Sequence, residues 1–217
     1  MPLDFAHRPA LSGDDFLVAP SNQGAVDWLD RWPDWPSPAL VLFGPPGSGK
    51  SHLANVFMAK TSARALERGD LGRADGEELA ARSPVWVVDD ADQGWDEEGL
   101  LHLYNSLAGR GGHMLFCAKA PPSAWGLKLA DLASRLKAAQ AVEIGLPGDA
   151  LFEAVLVKLF SDRQLRVQAG VVDFLVARME RSLDAARRLV AEIDAMALAE
   201  RRNVTVPLVS RVLGERE

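Results

Sequence analysis

A glycine-rich octapeptide constrains the fold of this chain more than any other stretch of its sequence. The segment GPPGSGKS, residues 44–51, follows the apolar run ALVLF and precedes a stretch with helical character. Glycines at these positions let backbone N–H groups turn inward around an anion, and the helix that follows directs its positive end at the same point. The order of strand, glycine loop and helix therefore predicts a phosphate-binding loop in an α/β fold.

The spacing of this segment, Gly-x4-Gly-Lys-Ser, assigns chemistry to its residues. Lys50 is predicted to reach the β- and γ-phosphates of a bound nucleotide, and Ser51 to ligate Mg²⁺. The whole loop is predicted to bind the nucleotide, through Gly44, Pro45, Pro46, Gly47, Ser48, Gly49, Lys50 and Ser51. We therefore expect ATP or ADP with Mg²⁺ as cofactors, and the sequence leaves open which nucleotide is the working ligand.

Two adjacent carboxylates follow a second apolar run, VWVV at residues 85–88. Ligands of parallel α/β sheets bind at the carboxyl ends of the strands. Asp89 is therefore predicted to orient Mg²⁺ or its water, and Asp90 stands where P-loop ATPases place the acid that orients the attacking water. The structural alternative is that one of these acids caps the next helix.

Apolar strands alternate with helical stretches until about Pro147, and only helical patterns follow. Strands that are apolar throughout predict a parallel sheet covered by helices on both faces. The predicted strands occupy residues 39–43, 62–66, 84–92 in part, 113–118 and 141–146. We expect an N-terminal arm over residues 1–20, a nucleotide-binding domain over 21–147 and a helical domain over 148–217.

Composition narrows the class of protein further. The formal net charge is −6, and residues 149–217 hold 11 basic and 11 acidic side chains, so the acidic excess lies before them. This balance argues against a free-standing nucleic-acid binder, which usually carries a basic excess. The N-terminus lacks the pattern of a signal peptide, and no apolar run reaches the ~18 residues of a membrane span, so we expect a cytoplasmic protein with no membrane contact.

Two further features allow both a structural and a functional interpretation. Cys117 is the only cysteine and lies in the apolar run HMLFCA, where a small buried strand residue is favoured over a catalytic thiol. Trp28, Trp32 and Trp35 are compatible with an aromatic binding face, although packing beside the first strand is favoured.

Together these segments resemble the AAA+ family, and in particular its DnaA-related members, which include DnaA and the shorter Hda proteins. The resemblance is carried by FLVAPSNQGAV (16–26), GPPGSGKSHL (44–53), VVDDAD (87–92), LHLYNSL (101–107), APP (120–122), LASRL (132–136) and RSLDAARRL (181–189). These segments follow the family's order over most of the chain. The match to the glycine loop extends to His52, which joins the predicted nucleotide-binding residues.

The resemblance implies a fold and two further site residues. The implied fold is a P-loop AAA+ three-layer αβα domain with a five-stranded parallel sheet, followed by a small all-helical lid domain. Arg135 is implied to be an arginine finger, which acts in trans on nucleotide bound to a neighbouring subunit. Arg181 is implied to be the sensor-2 arginine, which reaches from the lid to the phosphates of the chain's own nucleotide. With Asp90, these arginines form the predicted catalytic set.

The resemblance also implies a function. The sequence ends at Glu217, after the predicted lid and without the helix-turn-helix domain of DnaA, so we expect no direct specific DNA binding. This organisation resembles that of Hda, and it implies that the protein acts in the regulatory inactivation of DnaA. The protein would be a nucleotide-binding regulator of chromosomal replication initiation that, together with the polymerase sliding clamp, promotes hydrolysis of DnaA-bound ATP. The expected partners are DnaA and the clamp, although only MPLDF remains of the family's clamp-binding peptide. Whether the protein forms a homo-oligomer stays open.

Intrinsic ATP hydrolysis is expected to be weak at most. Lys119 stands at the sensor-1 position, where the family has a polar or acidic residue that orients the attacking water. Two other classes of function remain as alternatives. An AAA+ loader of a helicase or clamp would have its own ATP turnover, which Lys50, Asp89 and Asp90 allow. A phosphotransferase would need an acceptor pocket and an arginine-rich insertion in the α/β part, and the sequence shows neither.

Overall fold

The structure is a computed structural model that describes residues 17–214. The predictions for the first part of the N-terminal arm, including the MPLDF peptide, lie outside the described residues. The described chain forms two compact units. One unit comprises residues 22–145, and the other comprises residues 146–214 together with residues 17–21.

A parallel sheet of five strands forms the centre of the first unit, as the sequence and the resemblance predict. The strands are β1 (Ala39–Phe43), β2 (Arg64–Ala65), β3 (Val85–Val88), β4 (His113–Ala118) and β5 (Gln140–Glu143), in the spatial order β2-β3-β4-β1-β5. The three inner strands are almost wholly buried, which explains their uninterrupted apolar sequence. β5 ends earlier than predicted, although Ile144 still donates a backbone hydrogen bond to Phe43 at 2.7 Å.

Helices cover the sheet on both faces. They are α1 (Gln23–Asp30), α2 (Lys50–Thr61), α3 (Gly76–Arg82), α4 (Glu97–Gly109) and α5 (Ala130–Ala138). α3, α4 and α5 share one apolar cluster with alternate residues of the strands, such as Trp86 and Phe116. Because side chains alternate along a strand, Cys117 points to the opposite face. There its sulfur lies 4.0 Å from the carbonyl oxygen of Lys50 at the start of α2.

Helices also form the second unit, as predicted. They are α6 (Asp149–Asp162), α7 (Val171–Val176), α8 (Leu183–Glu200) and α9 (Val206–Gly214). Their apolar faces meet in one buried cluster, to which α8 contributes Ala186, Leu189, Val190 and Ile193. Within this part of the described chain the only strand-like pairing is a single parallel bridge between Val167 and Val204. The fold is therefore the predicted three-layer αβα arrangement with a helical domain after it.

The tryptophans that follow α1 pack beside the sheet, which supports the structural interpretation over an aromatic binding face. The Trp35 ring stacks on Phe57 of α2 with 5.6 Å between centroids, and Trp32 meets the same phenyl ring edge-on at 6.1 Å. Trp35 is 7% exposed, and its indole N–H donates to the carbonyl of Trp28 at 2.8 Å. Among residues 17–214, no helix is both long and apolar enough to cross a bilayer.

Candidate nucleotide-binding site

The glycine loop leaves β1 through a position that only glycine can occupy. Gly44 donates a backbone hydrogen bond to Ala118 of β4, and a Cβ atom added to Gly44 would lie 2.1 Å from the carbonyl oxygen of Ile144. Gly47 and Gly49 adopt φ angles of 74° and 101°, a region that residues with a side chain rarely enter. The sequence pattern of the loop therefore reflects its backbone path.

Lys50 is buried inside this loop and points back along it. Its ammonium group donates to the carbonyl oxygens of Gly44 and Pro45, each at 2.8 Å, and lies 3.4 Å from the hydroxyl of Ser48. These contacts place the ammonium within the loop that is predicted to bind phosphate. A phosphate bound there would offer the ammonium a charged acceptor in place of neutral ones, which makes a stronger hydrogen bond.

The first turn of α2 continues the loop. Its N-cap is Gly49, which has no side chain to satisfy the free N–H groups at the start of the helix. Such N–H groups, together with the helix dipole, attract anions. Around them, Gly47 and Ser48 are buried, Pro46 and Ser51 are exposed, and Pro45 and His52 are half-buried. The structure thus brings the nine predicted loop residues together in one anion-binding turn.

Asp89 and Asp90 stand exposed at the carboxyl end of β3, as predicted. Asp90 has a φ angle of 46°, and its backbone N–H donates to the Asp89 carboxylate at 3.0 Å. Neither acid caps the next helix, because Asp96 is the N-cap of α4 and accepts from Gly99 at 3.3 Å. The observed capping removes the structural alternative for the acidic pair.

One cavity of about 460 Å³ joins the end of the loop to the acidic strand end. The residues that line it include Ser51, Asp89, Asp90, Arg68 and Trp95. The Arg68 guanidinium lies 4.8 Å from the centroid of the Trp95 indole and donates to the carbonyl of Gly94. A hydroxyl and a carboxylate beside nucleotide phosphates are oxygen ligands of the kind that Mg²⁺ prefers, so Ser51 and Asp89 fit this ion.

The ends of β3 and β4 are joined by two hydrogen bonds that the sequence did not predict. Ala91 donates to the carbonyl of Cys117 at 2.8 Å, and Lys119 donates its backbone N–H to the Asp92 carboxylate at 3.1 Å. The second oxygen of Asp92 is buried and has no hydrogen-bond partner among the described residues. Asp92 thus ties Lys119, which stands at the predicted sensor-1 position, to the acidic strand end. The Lys119 side chain itself is exposed.

Cys117 is fully buried beneath the start of α2, which supports its interpretation as a core residue. Burial, together with the nearby Asp89 carboxylate, raises the pKa of the thiol far above its ordinary value. A thiol of this kind stays protonated at neutral pH and is a poor nucleophile.

Arg135 is exposed on α5, on the sheet face opposite α2. Its guanidinium lies 5.4 Å from the centroid of the Tyr104 ring on α4, a cation–π contact. Burial raises the pKa of Tyr104, and the positive charge of Arg135 acts in the opposite direction. The structure therefore places the predicted finger against its own α4.

Arg181 lies just before α8 in the helical unit, where it forms an ion pair with Asp149. The N-cap of α6 is Gly148, and Asp149 is the first helical residue. A carboxylate in the first turn still interacts favourably with the helix dipole. The nearby Arg187 forms its ion pair with a different acid, Asp184.

Comparison with known proteins finds one family model that matches most of the helical unit, and relatives that match most of the chain. A family model described as the lid domain of Hda matches residues 150–213. An uncharacterised protein of Haemophilus influenzae is 25% identical over 194 residues, covering 83% of each chain. The replication initiator DnaA of Herpetosiphon aurantiacus is 24% identical over 237 residues, which span 96% of this chain and 49% of that protein. The chain therefore spans about half the length of this DnaA relative.

Solved structures show the same fold. Domain III of DnaA from Thermotoga maritima superposes with a TM-score of 0.81 at 15% identity, covering 96% of this chain and 97% of that domain. DnaA from Aquifex aeolicus, solved with bound AMPPCP, superposes with a TM-score of 0.67 at 16% identity, covering 86% of this chain and 65% of the other. At this level of identity the superpositions show that the fold is shared.

Proposed function

We propose that this chain, an AAA+ protein related to DnaA, is an Hda-like regulator of chromosomal replication initiation that binds ADP or ATP and promotes hydrolysis of ATP bound to DnaA. The proposal rests mainly on the position of Arg135. This residue is exposed on α5, which lies on the sheet face opposite α2. An exposed guanidinium can contact a neighbouring subunit, which supports a role for Arg135 in trans. The match of residues 150–213 to the lid of Hda supports the same assignment.

The chain's own residues would hold the nucleotide. The backbone of the glycine loop and the Lys50 ammonium would bind the phosphates, with Mg²⁺ held by Ser51 and Asp89. When bound, the ion neutralises charge on the phosphate oxygens. The relatives support this part of the proposal, since two DnaA structures contain the nucleotide analogue AMPPCP. Arg181 is proposed as the sensor-2 arginine.

The chemistry of the proposed reaction would occur on the partner. An arginine finger supplied in trans stabilises charge in the transition state and contributes roughly 10³–10⁵ in rate. The chain's own hydrolysis would be slow, because the sensor-1 position carries Lys119 rather than a residue that orients water. The bound nucleotide would then set the shape in which Arg135 is presented.

The deciding experiment measures hydrolysis of DnaA-bound ATP in the presence of DNA-loaded sliding clamp. The rate is compared with and without this protein, which is supplied with ADP or with ATP. We expect hydrolysis to accelerate with the wild-type protein and not with Arg135→Ala, while both bind nucleotide equally. The alternative is an AAA+ loader, which the intact Lys50, Asp89 and Asp90 favour. It predicts instead that the protein alone turns over ATP at about 1 s⁻¹ or faster.

A further inference from the structure

Helix α5, which carries Arg135, has no side-chain cap of its own. Its N-cap is Leu129, which cannot accept a hydrogen bond through its side chain. The free N–H groups at the start of a helix are normally satisfied by a polar group from the preceding residue. The two residues that lead into α5, Lys128 and the N-cap Leu129, are instead held by an acceptor from a different helix.

Glu97, the first residue of α4, supplies that acceptor. Its carboxylate accepts from the backbone N–H of Lys128 at 3.1 and 3.0 Å and from that of Leu129 at 2.6 Å. The contact joins residues more than 30 positions apart in the sequence. A negative charge at this point also complements the positive end of the α5 dipole. Glu97 thus fixes where α5 begins.

Tyr104 makes the second contact between these helices. It lies seven residues after Glu97, which places both side chains on the same face of α4. Its ring lies under the guanidinium of Arg135, 5.4 Å from centroid to Cζ. On the same helix as Arg135, Leu132 and Leu136 are fully buried in the core shared with α4. One face of α4 therefore holds both the start of α5 and its arginine.

We propose that Glu97 and Tyr104 are positioning residues that hold α5 and the Arg135 guanidinium in the orientation required by the partner's nucleotide. The inference rests on the proposed function of Arg135 in trans. A misplacement of about 1 Å in a catalytic group can cost about 10²-fold in rate. The loss of either contact should therefore reduce the stimulated rate of hydrolysis without altering the chain's own nucleotide site.

The test compares variants of the full chain in the DnaA hydrolysis assay, over a range of protein concentrations. Glu97→Ala should lower the maximal stimulated rate by about tenfold or more, with unchanged nucleotide affinity and an unchanged half-maximal concentration. The adjacent exposed acid provides the matched control, and Glu98→Ala should behave as wild type. Glu97→Gln, which keeps an oxygen acceptor without the charge, should recover part of the rate.

A second pair of variants tests the ring contact alone. Tyr104→Phe keeps the aromatic face and should retain stimulation. Tyr104→Leu removes the aromatic face, keeps an apolar side chain in the core, and should lower the rate several-fold. A readout independent of the partner is amide hydrogen exchange. Loss of the Glu97 carboxylate should speed exchange at Lys128 and Leu129 and leave the glycine loop unchanged.

The outcomes separate this inference from the function on which it rests. If Arg135→Ala abolishes stimulation while Glu97→Ala and Tyr104→Leu both match Glu98→Ala, the positioning role is wrong and the proposed function stands. If the wild-type protein gives no stimulation, or Arg135→Ala stimulates fully, the proposed function fails and the positioning role fails with it. If Glu97→Ala does not fold, the Glu97→Gln and Tyr104 variants decide the question.

Discussion

The Nζ atom of Lys50 donates a hydrogen bond of 2.8 Å to the carbonyl oxygen of Gly44, six residues earlier on the same glycine loop. This hydrogen bond holds the ammonium inside the glycine loop. A hydrogen bond from this ammonium to a charged phosphate is stronger than one to a neutral carbonyl.

Substitution of Lys50 should therefore weaken nucleotide binding strongly. A hydrogen bond to a charged group contributes about 1.5–3 kcal/mol, so Lys50→Ala should raise the Kd for ADP and ATP by about 10- to 100-fold. Titration calorimetry measures the change. Lys60→Ala is the matched control, because Lys60 lies on the same helix in an exposed pair with Asp30. Equal affinities for the two variants would exclude the loop as the nucleotide site.

Gly44→Ala should destabilise the α/β unit. The added Cβ atom would lie 2.1 Å from the Ile144 carbonyl oxygen, which is backbone and cannot turn away. We expect a loss of roughly 1–3 kcal/mol in the free energy of unfolding, measured by chemical denaturation. Gly109→Ala, at the end of α4, meets no atom within 4 Å and should keep or slightly raise stability. A Gly44→Ala protein as stable as wild type would contradict the described path of the loop.

Substitutions of Asp89 and Asp90 should have different effects, one on nucleotide binding and the other on hydrolysis. Asp89→Asn removes a carboxylate that lines the cavity beside Ser51. The factor by which Mg²⁺ raises the affinity for ATP should therefore fall about tenfold. Asp90→Asn should leave affinity unchanged and remove any residual hydrolysis by the protein alone. Binding measured with Mg²⁺ and with a chelator distinguishes the two. Identical behaviour of both variants would mean that the roles are not divided in this way.

Arg181→Ala should weaken nucleotide binding without unfolding the helical unit. The ion pair of Arg181 with Asp149 is solvent-exposed, with side-chain exposures of 38% and 70%, and such pairs contribute about 0–1 kcal/mol. Asp149→Ala, which breaks the same pair, is the control and should keep full affinity. If both variants lose affinity to the same extent, the effect comes from the pair and not from a phosphate contact.

Stability should fall in mild acid because of His113. The imidazole is half-buried and meets Trp35 edge-on with 5.4 Å between centroids, and burial lowers its pKa below the ordinary 6.5. The unfolded chain then binds the proton more readily, so the contribution of neutral His113 is lost as pH falls below about 6.5. The melting temperature should drop by a few degrees between about pH 7.5 and pH 5.5. His113→Gln should reduce this drop, whereas exposed His102→Gln should not.

The sequence predicts the sheet and the loop because both depend on local patterns. Buried parallel strands need uninterrupted apolar residues, as in Val85–Val88, and the anion turn needs glycines at fixed spacing. Helix ends are less predictable, because Gly148 and Asp149 are both favourable N-cap residues. In the structure Gly148 is the N-cap of α6. The contact of Glu97 with the start of α5 depends on tertiary packing across more than 30 residues, so no local pattern reveals it.

Cys117 gives the protein a built-in reporter of its own fluctuations. The thiol is the single one in the sequence, it is fully buried, and its sulfur lies 4.0 Å from the carbonyl oxygen of Lys50. A thiol reagent can reach it only when the sheet beneath the glycine loop opens, so the labelling rate of the unmodified protein measures how often that opening occurs. A ligand that binds the closed loop would slow the labelling in proportion to its occupancy.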